Sequence, residues 1–449
     1  MLGQVVRISY LARFGKYASW TVLDQAVMLG LTRLVLFPVL LWIFIQALDE
    51  QAGENLFGSF ALAIGFVNLI GNSPSNGLSG YVLRDAINHE ADQQRLMLRT
   101  VLLLSIIITL PVALVYVVGG GSIGRAYGDA ALTVLLPFMG VYLLLFNVAE
   151  TMISIYRVRR TFGWMVLIHS IHFGLLFLTV PFYLFWGVAG LGYAYVLAGI
   201  AALLGVILLE RQTFLERPYY SRRFRIAALK VWLPFSAAAF IHLSSGYLDR
   251  LLLGYWWPGA ELAAFVAAAA TARILQLPGS QASILLLSLL GRIQTSGRFS
   301  RQFYTLYAAG SLFTALMVFA LGSLLGRFVL NWLYPSLLEE ALPLWNWVVG
   351  AAAAANVFLA CRPFVTKFLP PNWIPILVGT CVAARLVPVV LLVPRGGSLG
   401  AAQAMLIGSG IAASIWLVVF LRYFVFSKTD LSSRIIVDDP TIDGTTTES

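Results

Sequence analysis

The chain has 449 residues, of which 59% are hydrophobic and only 11% are charged, and its mean hydropathy is +0.85. This composition excludes a water-soluble protein, because one buried core cannot absorb so many apolar residues. The formal net charge of +10 therefore indicates membrane insertion and contact with anionic headgroups, and it is weak evidence for nucleic-acid binding.

Apolar stretches long enough to cross a bilayer recur along the whole chain. A helix needs ~20 such residues to cross a hydrocarbon core of ~30 Å. The sequence holds about twelve stretches of this kind, and they predict an all-α integral membrane protein. In chain order the predicted spans are 17–48, 57–80, 100–118, 131–155, 162–184, 188–210, 231–255, 262–290, 303–325, 342–361, 373–393 and 399–421.

The basic residues predict the orientation of these spans. Of the 30 lysines and arginines, 23 fall in segments that face the cytoplasm if the N-terminus lies inside, three fall outside and four lie within spans. Such residues are retained on the cytoplasmic side of a membrane. The first sixteen residues are polar and basic with no credible cleavage site, so we expect no cleaved signal peptide. The sequence predicts a multi-pass protein of a bacterial cytoplasmic (inner) membrane with both termini cytoplasmic.

An internal repeat of about 205–215 residues divides the membrane region into halves. Gly190–Ala194, which opens span 6, matches Ser398–Ala402, which opens span 12. Each half holds an even number of spans, so the two should be related by an axis along the membrane normal, with a substrate site between them. The predicted divisions are a cytoplasmic N-terminus (1–16), a first six-helix lobe (17–210), a basic cytoplasmic linker (211–230), a second six-helix lobe (231–422) and a disordered cytoplasmic tail (423–449).

Four arginines lie inside the predicted spans: Arg33, Arg250, Arg273 and Arg385. A cation buried in hydrocarbon needs an anion, a water-filled cavity or a function. A guanidinium group also presents a planar fork to phosphate oxygens and stays charged at any cellular pH. We therefore expect these arginines to form a cationic cavity that binds an anionic substrate. A structural ion pair is the alternative for the adjacent Asp249 and Arg250.

Further polar side chains in the spans are candidates for ion coupling or for the cavity wall. Their spacing at 100° per residue places several of them on common helix faces. Helix–helix hydrogen bonding is the alternative for the asparagines of span 2, and pairing with Arg157 is the alternative for Glu150. The candidates are Asp24, Gln25, Asn68, Asn72, Glu150, His242, Asp249 and Gln276. His169 and His172 on span 5 lack a third ligand at convincing spacing, so we expect hydrogen bonding or proton handling there, and no metal site.

Several short motifs carry a resemblance to a known group. They are Leu56–Phe60 at the start of span 2, Asp249–Gly254 at the end of span 7, and the glycine-rich openings of spans 6 and 12. In order and spacing they resemble the MOP exporter superfamily, and most of all its polysaccharide-exporter branch of Wzx-type flippases. One departure is Ala263–Phe265, where that family often has Gly-x-Tyr. The resemblance implies a two-lobed, MATE-like fold that moves an anionic, lipid-linked glycan between leaflets.

The expected function is thus a flippase that translocates an undecaprenyl-diphosphate-type glycan by alternating access during cell-surface polysaccharide biosynthesis. Its expected partners are that lipid-linked oligosaccharide, membrane lipids, and a polysaccharide polymerase with chain-length machinery; nucleic acid is not expected. We expect no cofactor, and H⁺ or Na⁺ is the candidate coupling ion. Two alternatives remain. One is a MATE-type multidrug exporter, whose cavity should be rich in carboxylates, and the other is a polytopic enzyme of glycan assembly, although no nucleophile–base constellation is visible.

Overall fold

The structure is a computed structural model that describes residues 19–20, 22–24, 26–86, 89–159, 161–215, 220–290, 301–369 and 373–426. Every regular element in these ranges is a helix. The predicted all-α class is therefore confirmed. The predicted N-terminal segment 1–16 and most of the predicted tail, residues 427–449, lie outside the described residues.

The helices follow one another with short connections. They are α1 (26–47), α2 (50–85), α3 (Ala91–Ala126), α4 (Ala130–Arg159), α5 (Phe162–Trp186), α6 (Val188–Leu209), a short helix (Arg211–Leu215), α7 (Arg222–Trp256), α8 (260–290), α9 (Arg301–Leu333), α10 (Leu338–Phe368), α11 (373–396) and α12 (398–425). α11 and α12 meet at Gly397, whose backbone is not helical.

Nine helical stretches of the described chain are long and apolar enough to cross a membrane. α2 and α7 are long but fall outside this set, and the last stretch, Ile376–Val425, contains the break at Gly397 that separates α11 from α12. The count of twelve spans thus stays a prediction. α7 begins at Arg222, inside the predicted linker 211–230, and the final helix continues to Val425, past the predicted start of the tail.

Glycine positions give the register of the internal repeat. Gly187 before α6 and Gly397 before α12 both have positive φ angles, +60° and +53°. Three residues later, a Cβ atom on Gly190 or Gly400 would overlap the backbone carbonyl oxygen of the residue eight positions earlier. The structure therefore aligns Gly190 with Gly400, two residues away from the sequence match of Gly190 with Ser398. Shared backbone requirements, and not side-chain identity, define the equivalence.

Apolar packing differs at the two ends of the bundle. At the predicted outer end, one cluster of buried residues takes members from both halves, including Phe57, Leu262 and Leu337. At the predicted inner end there are separate clusters: one around Ile153 contains the start of α7 and first-half helices, and one around Phe364 contains second-half helices. Among the described side chains, the first half therefore shares a broad apolar cluster with the second half at the predicted outer end and packs with α7 alone at the predicted inner end.

Gly190→Ala tests the close approach at the start of α6. The added methyl group would overlap a backbone carbonyl, so we expect a loss of about 1–3 kcal/mol in the free energy of unfolding. The control is Gly174→Ala in α5, because no atom of the described residues lies within 4 Å of the position that its Cβ atom would take. Thermal unfolding of the purified proteins measures both. Equal melting temperatures for the two variants would contradict the close packing of α6.

Candidate functional site

Non-α helical segments occur where the predicted site residues lie. Arg33 is in a π-helical segment, Ala26–Leu36, and Asn68 is in a second one, Val67–Gly71. Arg273 begins a 3₁₀ segment, Arg273–Gln276. π-helix is rare and is frequent at functional sites, and 3₁₀ segments inside helices often mark hinges. Face alignments drawn at 100° per residue therefore do not hold across these segments.

Two of the four predicted arginines lie over the aromatic ring of Tyr247, and a third is close enough to interact with them. The Cζ atom of Arg273 lies 4.6 Å from the ring centroid, and that of Arg250 lies 5.5 Å from it. Arg33 is close enough to interact electrostatically with Arg250, Arg273 and Tyr247. These contacts bring α1, α7 and α8 together around one cationic site. Stacking of guanidinium groups on an aromatic face partly offsets the loss of hydration.

Tyr334 of the second half forms a hydrogen bond to the backbone of Arg33 in the first half. Its hydroxyl group donates to the backbone carbonyl of Arg33 over 3.3 Å. Its hydroxyl group also lies close to that of Thr271, two residues before Arg273. Tyr334 is completely buried. It therefore bonds to the backbone of α1 at Arg33 and approaches α8 next to Arg273.

Tyr247 and Tyr334 were not among the residues predicted from sequence. Tyr247 precedes Arg250 by three positions, so the two lie on one face of α7, and this spacing was an available signal. Tyr334 gave no comparable signal, because it lies at a helix junction 301 residues from its partner Arg33. Long-range contacts of this kind are set by tertiary packing.

Arg385 forms an ion pair and is not part of the cluster around Tyr247. Its Nη2 atom lies 2.7 Å from Oδ2 of Asp249, and both side chains are buried. The other carboxylate oxygen accepts from the backbone N–H of Arg250 at 3.0 Å. A Cβ atom on Gly408 of α12 would meet the stem of Arg385 at 2.6 Å. The predicted alternative of an ion pair at Asp249 thus describes this contact, with Arg385 as the partner.

The arginine cluster sits at the border of the shared apolar core. Leu251 and Ala272, which neighbour Arg250 and Arg273 in the chain, belong to that core, as does Leu36 beyond Arg33. On the other side of the border, the first-half cluster includes the start of α7 but no other described second-half residue. The cationic site therefore lies at the point where the broad apolar cluster shared by the halves ends.

A second polar network lies within the first half of the chain. Buried His169 of α5 places Nδ1 2.5 Å from Oδ1 of Asp24 and Nε2 3.0 Å from Oε2 of Glu150. Glu150 also pairs with Arg157 at 3.6 Å, as the sequence alternative anticipated. An imidazole between two carboxylates can donate to both only when both of its nitrogens carry protons. This network can therefore hold or release a proton at its centre.

His172, one turn from His169, has a different environment. Its Nδ1 atom lies 3.0 Å from the carbonyl oxygen of Ala198, and its Nε2 atom lies 3.2 Å from the hydroxyl group of Tyr142. A neutral imidazole satisfies both contacts, because Nδ1–H donates to the carbonyl and Nε2 accepts from the tyrosine. In the described ranges, no group of three or more potential metal ligands is found.

The remaining predicted site residues are placed only in part. Asn68 donates to the carbonyl of Ile64 within α2, and Gln276 ends the 3₁₀ segment that Arg273 begins. Gln25 lies outside the described residues. Asn72 and His242 lie in α2 and α7, but their side chains are likewise not described.

The ion pair of Asp249 and Arg385 should contribute strongly to stability. Asp249→Ala leaves a buried guanidinium group without its counter-charge, which costs about 3–5 kcal/mol. Asp249→Ala combined with Arg385→Ala should cost clearly less than the sum of the single changes, because both charges are gone. Thermal unfolding of the four proteins measures this coupling.

The control is the pair of Arg95 and Asp92, which are 3.4 Å apart and in which the carboxylate is exposed. Asp92→Ala should cost less than about 1 kcal/mol because water screens that pair. If the effects of Asp249→Ala and Arg385→Ala simply add to within about 0.5 kcal/mol, the two side chains do not interact as described.

Comparison with known proteins identifies the fold. No family model matches the chain, and no curated protein matches it by sequence. Among solved structures, it is similar to a variant of the MATE transporter VcmN of Vibrio cholerae, with 13% identity, a TM-score of 0.65, and coverage of 92% of this chain and 99% of that one. It is also similar to the lipid II flippase MurJ, with 14% identity, a TM-score of 0.64, and coverage of 90% and 86%.

A third similar structure is a MOP superfamily transporter from Pyrococcus furiosus, described as having a binding pocket of reverse polarity that suggests a different function. It is 14% identical, with a TM-score of 0.58 and coverage of 90% of this chain and 94% of that one. At these identities the comparisons establish the fold alone. The chain has the fold of the MATE transporters to which it is similar, as the sequence resemblance implied.

Proposed function

We propose that this protein is a flippase that moves an anionic, diphosphate-linked glycolipid across the bacterial cytoplasmic membrane. The observation that carries this proposal is the convergence of Arg33, Arg250 and Arg273 around Tyr247. Proteins of known structure with this fold are transporters and a lipid flippase. The fold therefore suits transport, and the charge of the site selects the class of cargo.

The charge balance of the site favours an anion. Among the described residues, neither Arg33 nor Arg250 forms a salt bridge with a carboxylate. Asp249, the nearest acid in the sequence, is bonded to Arg385. The intramembrane acids of the first half, Asp24 and Glu150, are engaged by His169. The site is thus left with excess positive charge, which a bound diphosphate would neutralise.

Arginine suits such a cargo for geometric reasons. Each guanidinium group can donate two parallel hydrogen bonds to phosphate oxygens, and three groups on three helices can surround a diphosphate. Mutual repulsion among the arginines raises the energy of the empty site. Release would follow if water enters the site when the halves move apart and competes for the same donors.

The distribution of apolar packing suggests the direction of access. The halves share a broad apolar cluster at the predicted outer end, whereas at the predicted inner end the described first-half cluster packs with α7 alone. We propose that this state is closed to the outside and loads its cargo from the cytoplasmic leaflet. Rocking of the halves would then expose the glycan outside while the lipid tail stays in the bilayer. A polysaccharide polymerase with chain-length machinery would use the delivered product.

A multidrug exporter is the alternative, because MATE transporters of that class are equally similar in fold. The two functions differ in the charge that the cavity must accept. A cationic drug would be repelled by three guanidinium groups, whereas a carboxylate-lined cavity would attract it. Competition between inorganic pyrophosphate and a cationic dye for the purified protein separates the two possibilities.

We further propose that protons drive the cycle through His169. The groups around its ring are Asp24, which lies two residues before the start of α1, Glu150 and Arg157 from α4, and His172 from its own helix. Gain or loss of one proton changes which carboxylate the ring can bond to. Because Asp24 lies just before α1, which carries Arg33, a change at His169 can shift the helix that carries one of the cargo ligands.

Arg273→Ala and Arg33→Ala should each abolish flipping in proteoliposomes that contain a fluorescent lipid-diphosphate oligosaccharide. Each change removes a charge-assisted contact with phosphate, so we expect pyrophosphate affinity to fall by at least about tenfold, or about 1.4 kcal/mol. The control is Arg327→Ala in α9, because Arg327 is exposed on the bundle surface. Full flipping by both cavity variants would overturn the proposed function.

His169→Gln should uncouple transport from the proton gradient. Glutamine keeps a neutral polar group but cannot bind a proton, so flipping should no longer respond to an imposed pH gradient while pyrophosphate binding persists. Glu339→Gln, at an exposed position in α10, is the control for removal of a titratable group. Undiminished gradient dependence in His169→Gln, or a response to Na⁺ alone in the wild type, would exclude His169 as the coupling site.

A further inference from the structure

The backbone of α8 is interrupted just after Arg273, and a side chain from α10 fills the gap. Asn356 is 2% exposed. Its Oδ1 atom accepts from the backbone N–H of Gly279 at 2.7 Å, and its Nδ2 atom donates to the carbonyl of Leu275 at 2.9 Å. Leu275 and Gly279 are four residues apart, so in a regular α-helix they would bond to each other.

The amide of Asn356 therefore replaces one backbone hydrogen bond of α8. A primary amide has the donor and acceptor of a peptide group, so it can join the separated carbonyl and N–H without leaving either unsatisfied. Pro278 lies inside the gap and has no N–H to donate. The approach also requires glycine at position 279, because a Cβ atom there would lie 2.6 Å from Oδ1 of Asn356.

This insertion stabilises the 3₁₀ segment Arg273–Gln276. The last turn closes with the N–H of Leu277 bonded to the carbonyl of Ile274. In 3₁₀ geometry, side chains three residues apart eclipse one another, whereas in an α-helix they are about 60° apart. Gln276 is therefore brought into line with Arg273. A regular α8 would turn Gln276 away from that line.

We infer that Asn356 is a positioning residue for the anion site. It holds the interruption in α8 that aligns the guanidinium group of Arg273 with the amide of Gln276, so that both can face one phosphate group. This inference rests on the proposed function, because it assigns a ligand to the cationic site. Asn356 itself does not touch the ligand. It acts through the backbone of α8.

A purely structural role makes a different prediction. If Asn356 only joined α10 to α8, its loss would lower the melting temperature without changing the affinity of the site. The probe is inorganic pyrophosphate, and its dissociation constant is measured on the purified full-length protein in nanodiscs. Asn356→Leu keeps the branched shape of the side chain but has no hydrogen-bonding groups, so we expect the dissociation constant to rise about tenfold.

The matched control is Tyr307→Phe. The hydroxyl group of Tyr307 donates to the backbone carbonyl of Ala360 at 2.9 Å, so this change also removes one side-chain bond to the backbone of the second half. It should lower stability slightly and leave pyrophosphate affinity unchanged. If Asn356→Leu does not fold, Gly279→Ala provides the second variant, because its methyl group displaces the same amide.

A double-mutant cycle with Gln276→Ala decides whether Asn356 acts on the site. In the Gln276→Ala background, Asn356→Leu should change the dissociation constant by less than about threefold, because part of its effect passes through Gln276. Additive effects, or unchanged affinity in both Asn356→Leu and Gly279→Ala, would overturn the inference. Unchanged affinity in Arg273→Ala would instead overturn the proposed function.

Discussion

Placing several guanidinium groups inside an apolar helix bundle is the constraint on which the rest of this structure depends. Each charge loses hydration, and the charges repel one another because the interior screens them poorly. Arg250 and Arg273 contact the ring of Tyr247, and the cluster lies at the border of the shared apolar core. Arg385 is neutralised differently, by a direct ion pair with Asp249. The partners of the arginines thus divide them between the cluster around Tyr247 and the ion pair with Asp249.

Segments of irregular helix position the polar residues of the site. α1 and α2 contain π segments and α8 contains a 3₁₀ segment, and each coincides with a polar site residue. Second-half residues brace two of the site helices: Tyr334 bonds to the backbone of α1, and Asn356 bonds within α8. These contacts make the spacing of the arginines depend on tertiary packing. The network around His169 is separate from the arginine cluster and lies within the first half.

Sequence reasoning was most informative where a chemical rule has few exceptions. Charged side chains are rare in membrane helices, so Arg33, Arg250, Arg273 and Arg385 were predicted to line one cavity, and the structure places the first three near Tyr247 but Arg385 in an ion pair. It failed where distant segments meet. Nothing near Arg385 in the chain indicates Asp249, which lies 136 residues away, and Asn356 resembles any polar residue in an apolar helix. The repeat was detected, but its register was wrong by two residues because side-chain identity was weighed above the glycine backbone.

By itself, the sequence determined the all-helical class, the membrane environment and the presence of a cationic interior, because length, hydropathy and charge depend only on composition and order. Only the tertiary structure decided which arginines meet, which acid neutralises Arg385 and where the helices depart from α geometry. Those outcomes depend on side-chain packing between segments far apart in the chain. Local propensity and periodicity carry no information about such packing.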